Sequence, residues 1–398
     1  MHVDILIIGS GPAGLSTALH LAQLAPERIH RVLVLEKAHH PRPKLCAGAL
    51  VVDAEVILQR LGLDVGEVPH SDADFAHLDF RGRGLRLAMP HRSDGASHIM
   101  RMIRRDEFDS WLAAKAVSRG IEIREGVTVR GVLPGGDAVR VETDAGDFTA
   151  TVVVGADGSK GVTRRAVLPD EPTHTARVLE VIAASPARPH GTQVHGERDA
   201  YFDFSAVTQG IGGYTWDFPT QIRGEPRRCW GIYDSNMEPG APRPALRGPL
   251  SEEMRRHGLS LEALELHGHP IRWFSPRRRV SVPRVLLVGD AAGADGVFGE
   301  GISMALGQGL LAAEAIDDAF SRADFSFRGY RNSLLRSPLG VSLITRWAIT
   351  HVLYRLRAAW AQYLIWRVLK PLVAAGGLLL VLNWAKRMRN PGRARAPL

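Results

Sequence analysis

The chain has 398 residues, 45% hydrophobic and 23% charged, a composition for a folded soluble protein with room for two domains. Two cysteines, Cys46 and Cys229, exclude a disulfide framework, a zinc cluster and a four-cysteine iron–sulfur site, and point to a reducing, cytoplasmic setting. The net charge of +8 is uneven: residues 321–398 hold 14 Lys and Arg against one acid, Asp324, a net +13 that leaves −5 for the rest. That asymmetry points to an anionic partner for the tail, membrane or nucleic acid.

In chain order, VDILIIG (3–9) is a continuous apolar run ending in glycine, the pattern of a buried parallel strand. It starts without a basic leader or cleavage site, so no signal peptide is expected. LSTALHLAQLA (15–25) has helical spacing, and RVLVLEK (31–37) reads as a second buried strand, which together make a βαβ unit. RRDEFDSWLAAKAVSRG (104–120) reads as a helix closed by Gly120, followed by strand-like alternation over 122–158. RVLLVGDAAG (284–293) is another buried strand, and ISMALGQGLLAAEAIDDAF (302–320) a helix rich in small residues. The Pro-, Gly-, His- and Arg-rich stretches 70–100 and 166–280 alternate over short segments, as in an inserted antiparallel sheet.

Gly9-Ser10-Gly11-Pro12-Ala13-Gly14 follows a strand and opens a helix. Gly9 suits a tight turn, Gly11 the approach of a pyrophosphate, and Gly14 close helix–strand packing. Pro12 and Ala13 stand at the helix start, whose partial positive charge faces the phosphates. Glu36, followed by Lys37, ends the next strand and can accept hydrogen bonds from a ribose. Three later features favour FAD over NAD: Arg105 before Phe108-Asp109, the strand end GADG (155–158), and LLVGDAAG (286–293) with Gly299-Glu300-Gly301-Ile302 beyond it. Asp290, after Gly289, is placed for a ribityl or ribose hydroxyl, and the helix from Gly301 for an anionic isoalloxazine edge.

Over residues 1 to about 320 the set GSGPAG, RDEFD, GADG and VGDAAG…GEGI resembles the FAD-dependent hydroxylase superfamily. The resemblance implies cofactor contacts for Asp290 and Arg105. Where the family often has Ser a few residues after A-D-G, this chain has Gly161, which leaves open whether Asp157 handles NADPH or shapes a turn. No second nucleotide fold is present, because GQGLLAAEA (307–315) lies inside a helix. The reductant is therefore NAD(P)H visiting transiently, or a protein electron donor.

Two further motifs narrow the branch. Lys44-Leu45-Cys46-Ala47-Gly48-Ala49 and Tyr214-x-Trp216-x-Phe218-Pro219 resemble the C-x-G-G and Y-x-W-x-F-P motifs of the geranylgeranyl reductase family, with Ala49 replacing the last glycine of the first. The resemblance implies FADH2-dependent reduction of isolated C=C bonds in a polyprenyl, lipid-like or terpenoid substrate. It places Lys44, Ala47 and Gly48 near the flavin. Period two puts Tyr214, Trp216 and Phe218 on one strand face. Spacing alone makes that face sheet core; the resemblance makes it a wall for the prenyl chain. Cys46, flanked by Arg42 and Lys44, is expected to have a lowered thiol pKa and is the candidate acid for the alkene carbon. The alternative is a small buried loop cysteine, and Cys229 reads as core. Arg42 and Lys44 would suit an anionic substrate head group, but surface solvation is the expected role for either, and Asp217 has no role.

The fold class is therefore α/β: a Rossmann-like FAD-binding domain (1–69, 101–165, 281–330), an inserted antiparallel β-sheet substrate domain (70–100, 166–280) and a C-terminal basic helical region (331–398). That region contains four of the eight Trp, and its longest uncharged run, 371–385, is 15 residues. A span needs roughly 20 apolar residues, so interfacial, peripheral attachment to an anionic membrane is expected, helped by Lys386, Arg387, Arg389, Arg393 and Arg395; the alternative is a soluble helical subdomain packed on the body with a frayed basic end. No nucleic-acid fold accompanies the charge, and no metal site is expected. The competing readings are a monooxygenase or halogenase of the same superfamily, because halogenases carry W-x-W-x-I-P, and a non-catalytic flavin-binding lipid carrier or partner subunit.

Overall fold

The computed structural model describes residues 1–88, 97–172, 174–185, 195–237 and 243–389. The first apolar run forms the strand His2–Ile8 inside an eight-stranded sheet. Val32–Leu35 and Phe148–Gly155 flank it, both parallel, and the sheet continues to Glu122–Arg124 on one side and Val285–Leu287 on the other. The run is apolar throughout because both faces are covered. Ile5 and Ile7 pack under helices, while Val3, Leu6 and Ile8 pack under the antiparallel strands Val129–Pro134 and Val139–Thr143.

The helices Pro12–Leu24 and Ile302–Arg322 lie side by side on this sheet. Their spacing is set by small residues: a methyl group at Gly309 would sit 2.6 Å from the Ser16 Cβ, and the Ser16 hydroxyl donates to the Leu306 carbonyl at 2.7 Å. Gly289 fits between Ala13 and Ala305, one in the first turn of each helix. Two helix N-termini therefore converge at the carboxyl ends of the parallel strands, where open α/β sheets bind ligands.

A second, seven-stranded sheet runs in the order His267–Arg272, Thr175–Ala184, Glu225–Asp234, Gly213–Ile222, Asp199–Asp203, Phe75–Phe80, Arg83–Ala88. It is antiparallel except where Asp199–Asp203 lies parallel to Phe75–Phe80, a pairing that needs the long crossover between them. His70–Ala73 does not join it. That strand pairs with Met100–Ile103, which also pairs with Ala49–Val51, in a small sheet of three strands.

The basic tail folds back on the body. Pro338–Leu353 is a helix, and Trp384, in the short helix Trp384–Arg387, is fully buried against Gly307. Asp53 accepts the N–H groups of Asn383 and Ala385 at 2.9 and 2.7 Å. Arg387, one of the cations expected to face lipid, is exposed and donates to the carbonyls of Leu379 and Leu382. Arg393 and Arg395 lie outside the described residues. Among the described residues no helix is long and apolar enough to cross a membrane.

Candidate functional site

One cavity of about 1180 Å³ connects the strand ends of the first sheet with a face of the second. Drug-sized ligands fill roughly 300–1,000 Å³, so this volume accommodates more than one small molecule. Its two ends differ in chemistry. One is a strip of backbone and carboxylates; the other is a chamber of aromatic and aliphatic side chains.

The strip begins at Lys37, Ala38 and Val127 to Val129, passes Glu36, Gly9, Gly11, Pro12 and Ala13, and ends at Gly289, Asp290 and Gly299 to Ile302. Glu36 is fixed by Ser10, whose N–H and hydroxyl both donate to Oε2 at 3.0 and 2.8 Å, and by the Ala38 N–H at 3.1 Å. Burial opposes ionisation of Glu36, but Arg42 and these donors outweigh it and hold its pKa below the usual value. The Ser159 hydroxyl donates to Asp290 at 3.1 Å. A fixed carboxylate at one end, two helix N-termini and a second carboxylate match the needs of an extended dinucleotide.

Arg105 lines the cavity and is clamped to Asp109 by two bonds of 2.8 Å. Arg42 reaches both Glu36 and Asp109, at 3.4 and 3.3 Å. Lys44 donates to His269 Nε2 at 2.6 Å, and burial lowers its pKa. The expected surface solvation of Arg42 and Lys44 is thus corrected: both line the cavity, Arg42 held by the buried carboxylates of Glu36 and Asp109 and Lys44 by His269.

Cys46 follows Lys44 in the cavity wall. Its thiol pKa is raised, contrary to the sequence-based expectation. Desolvation is the largest influence and outweighs the lowering by Arg105 and, further down, Lys44. The thiol is therefore held protonated. Gly48 shapes the loop: its φ is +81°, its N–H lies 3.4 Å from the Cys46 sulfur, and a methyl there would overlap the Ile103 carbonyl. Gly48→Ala is expected to destabilise the protein by at least about 2 kcal/mol from backbone strain and overlap, read as a fall in urea midpoint. An unchanged midpoint refutes that account.

Tyr214, Trp216 and Phe218 share the chamber face, as period two requires, and also belong to a buried apolar cluster. Core and pocket wall are the same surface here. The Tyr214 hydroxyl donates to the Phe298 carbonyl at 2.5 Å, Tyr233 to Gly296 at 2.8 Å and Tyr354 to Val297 at 2.5 Å. Three tyrosines thus pin the loop before Gly299–Ile302. Asp295 accepts the N–H groups of Val297 and Phe298, and Arg346 from the tail helix donates to it at 2.7 Å. The Glu300 carboxylate accepts from the Ser303 N–H and hydroxyl and lies 3.5 Å from Arg346. Its side chain thus caps a helix and balances a charge.

Asp157 lines the cavity beside Gly161. Its Oδ2 accepts the N–H and hydroxyl of Thr163, at 2.8 and 2.9 Å, and the carboxylate fills the space a side chain at Gly161 would need. Asp217, on the opposite strand face, accepts from Arg228 Nε at 2.7 Å and pairs with His195 Nδ1 at 2.6 Å, which supplies its missing role: a buried charge network behind the chamber.

Tyr233, Tyr354, Arg346 and Glu180 were not anticipated from sequence. Glu180 lines the chamber, buried among apolar residues. Its signal was a lone acid in VLEVIAA (178–184), masked because both faces of that strand are apolar.

Comparison with known proteins agrees with this geometry. The family described as FAD binding domain matches residues 2–299. Digeranylgeranylglycerophospholipid reductase 1 of Methanopyrus kandleri is 31% identical over 345 residues, covering 82% of this chain and 83% of that protein. Digeranylgeranylglycerophospholipid reductase of Methanothrix thermoacetophila is 28% identical, covering 83% and 81%. The crystal structure of a geranylgeranyl bacteriochlorophyll reductase-like protein from Thermoplasma acidophilum superposes with a TM-score of 0.75 at 19% identity, covering 97% of this chain and 95% of that one. The strip, the chamber and these likenesses place the chain in the FAD binding domain family and, within it, among the geranylgeranyl reductases.

Proposed function

We propose that the protein is an FAD-dependent reductase of C=C bonds in isoprenoid chains, working on a lipid-like substrate. The observation that carries this is a single cavity in which the FAD strip opens onto the Tyr214–Trp216–Phe218 chamber, with Cys46 in its wall. Glu36 holds the adenosine ribose, with Lys37, Ala38 and Val127 to Val129 around the base. The N-terminus at Gly11 to Ala13 holds the pyrophosphate, Asp290 the ribityl chain, and the helix start at Gly301–Ile302 the isoalloxazine edge. Gly14 keeps the helix against its strand, and Lys44, Ala47, Gly48, Arg105 and Gly299 close the site around the ring.

Reduced FAD, when bound, supplies a hydride to one alkene carbon. The chain supplies the rest. The apolar chamber extends the prenyl chain and excludes water. The Cys46 S–H gives its proton to the other alkene carbon and is left as thiolate. An unactivated alkene has no carbonyl to polarise, so a held proton in a dry site is the available help. The reductant is NAD(P)H or a protein donor that visits transiently. Asp157, committed to Thr163, serves the fold in this reading.

The decisive experiment mixes reduced holoenzyme anaerobically with polyprenyl lipids and follows flavin reoxidation with mass spectrometry of the lipid. Saturation of the chain without oxygen is expected. Product that forms only with O2 overturns the proposal in favour of a monooxygenase or halogenase. A flavin that stays reduced with every prenyl lipid leaves a non-catalytic carrier.

Peripheral membrane attachment belongs to the same proposal. The tail lines the chamber with Ile365, Leu369 and Val373, while Trp360, Leu372 and Leu379 are 72%, 69% and 67% exposed. One segment thus joins the substrate chamber to an apolar surface flanked by Arg355, Arg357 and Lys370. Exchanging Trp360 and Leu372 for Ser is expected to weaken pelleting with anionic liposomes by about tenfold or more, since each large apolar side chain contributes roughly 1.5–3 kcal/mol on burial. Unchanged pelleting removes this surface as the attachment site.

A further inference from the structure

Among the described residues, the carboxyl of Glu180 is the one acidic group on the apolar chamber face that no step above uses. Glu180 stands opposite Gly231 in the sheet, and Gly231 stands opposite Trp216, so all three share a face. A methyl at Gly231 would overlap the Trp216 ring, so glycine there lets the indole lie across towards Glu180. The Cys46 backbone N–H and the Cys229 thiol lie close enough to the Glu180 carboxyl to oppose the rise that burial gives its pKa. Oε2 lies in the buried wall with no hydrogen-bond partner among the described residues. A charge left there would be desolvated and half-satisfied, which is costly; a proton on that oxygen removes the cost.

We infer that Glu180 is a proton-relay residue that holds a proton in the resting enzyme and passes it to the Cys46 thiolate left after each alkene reduction. This rests on the proposed role of Cys46. The step balances: the Glu180 O–H bond breaks, the Cys46 S–H bond forms, the carboxyl is left as carboxylate, and water returns the proton between turnovers. No oxidant or reductant enters. The direction is favourable. Burial pushes the Glu180 pKa up to about 7, while burial also raises that of Cys46 above its ordinary thiol value, so the proton moves from the stronger acid to the stronger base. Arg104 is the charge that opposes the Glu180 shift. Cys46 and Cys229 face Glu180 from the loop and the neighbouring strand, and His267 is its register partner on the edge strand. Arg105 and Lys44 act on Cys46.

The sign for pH follows. The acid form is lost as pH rises through about 7, so turnover falls on that limb. Holoenzyme, Glu180→Gln and Glu180→Asp are compared from pH 5.5 to 9, a span chosen about that value, by steady-state turnover and by difference infrared spectroscopy of the carboxyl band. Expected are a protonated-carboxyl band near neutral pH that disappears on alkaline titration and is absent from Glu180→Gln; a roughly tenfold or greater fall in turnover in Glu180→Gln with the limb near pH 7 abolished; and a limb that returns, displaced, in Glu180→Asp. A wild-type turnover and limb retained by Glu180→Gln overturn the relay while leaving alkene reduction standing. A carboxylate band already present at pH 5.5 overturns it even if no alkene is ever reduced.

Discussion

Replacing Cys46 by alanine is expected to lower the rate of alkene reduction by roughly 10²- to 10⁴-fold, the usual contribution of a positioned acid. FAD content is expected to stay unchanged. The side chain stands in the cavity wall, while the strip from Glu36 to Asp290 is built from other segments. Single-turnover reoxidation of reduced holoenzyme by a prenyl lipid measures the chemical step apart from reductant supply. A rate within threefold of wild type assigns the proton to another group. The same burial that holds the proton predicts slow alkylation of Cys46. Because its pKa is raised, the thiolate fraction at neutral pH is smaller than for a free thiol, and alkylation accelerates only as pH climbs above the ordinary thiol range.

The second large effect is expected where the tail meets the flavin loop. Arg346→Ala removes a guanidinium that is 2% exposed and donates to Asp295 at 2.7 Å, to the Val381 carbonyl at 3.2 Å and to Ser342 at 3.3 Å. It leaves the buried Asp295 and Glu300 facing each other without their cation. Breaking a buried pair in this way costs about 3–5 kcal/mol, read in urea unfolding. Arg346 also ties the tail helix to the loop that carries Gly299–Ile302, so FAD affinity is expected to fall with stability. Arg346→Lys restores charge without the planar fork and should recover only part of either. A variant that loses stability yet binds FAD as tightly as wild type separates the tail from the flavin loop.

The tail shows how one composition supports two outcomes. Its charge and its tryptophans suggested a lipid-facing segment, and three of the cations named for that task lie within the described residues. Of these Arg387 is exposed and also bonds backbone carbonyls, while Trp384 is core. Interfacial and core tryptophans share a residue type; only the neighbours, Gly307 and the Asp53 cap, distinguish them.

The FAD frame was legible in the sequence because its signals are local. A glycine pattern between an apolar strand and a helix dictates one turn and one helix N-terminus, and an acid at the next strand end follows from the βαβ geometry. The common face of Tyr214, Trp216 and Phe218 was legible for the same reason, since strand alternation allows no other arrangement. Acidity and pairing were not local. The Cys46 thiol is set by a contest between desolvation and Arg105, 59 positions away, and the winner depends on burial that only the closed cavity creates. Asp217 gained its partners from Arg228 and His195, Glu300 its cation from Arg346, and Glu180 its raised pKa from a face that three distant segments complete. Residue spacing determined where the cofactor strip and the chamber wall would stand; long-range packing, through desolvation, decided which groups there hold their protons.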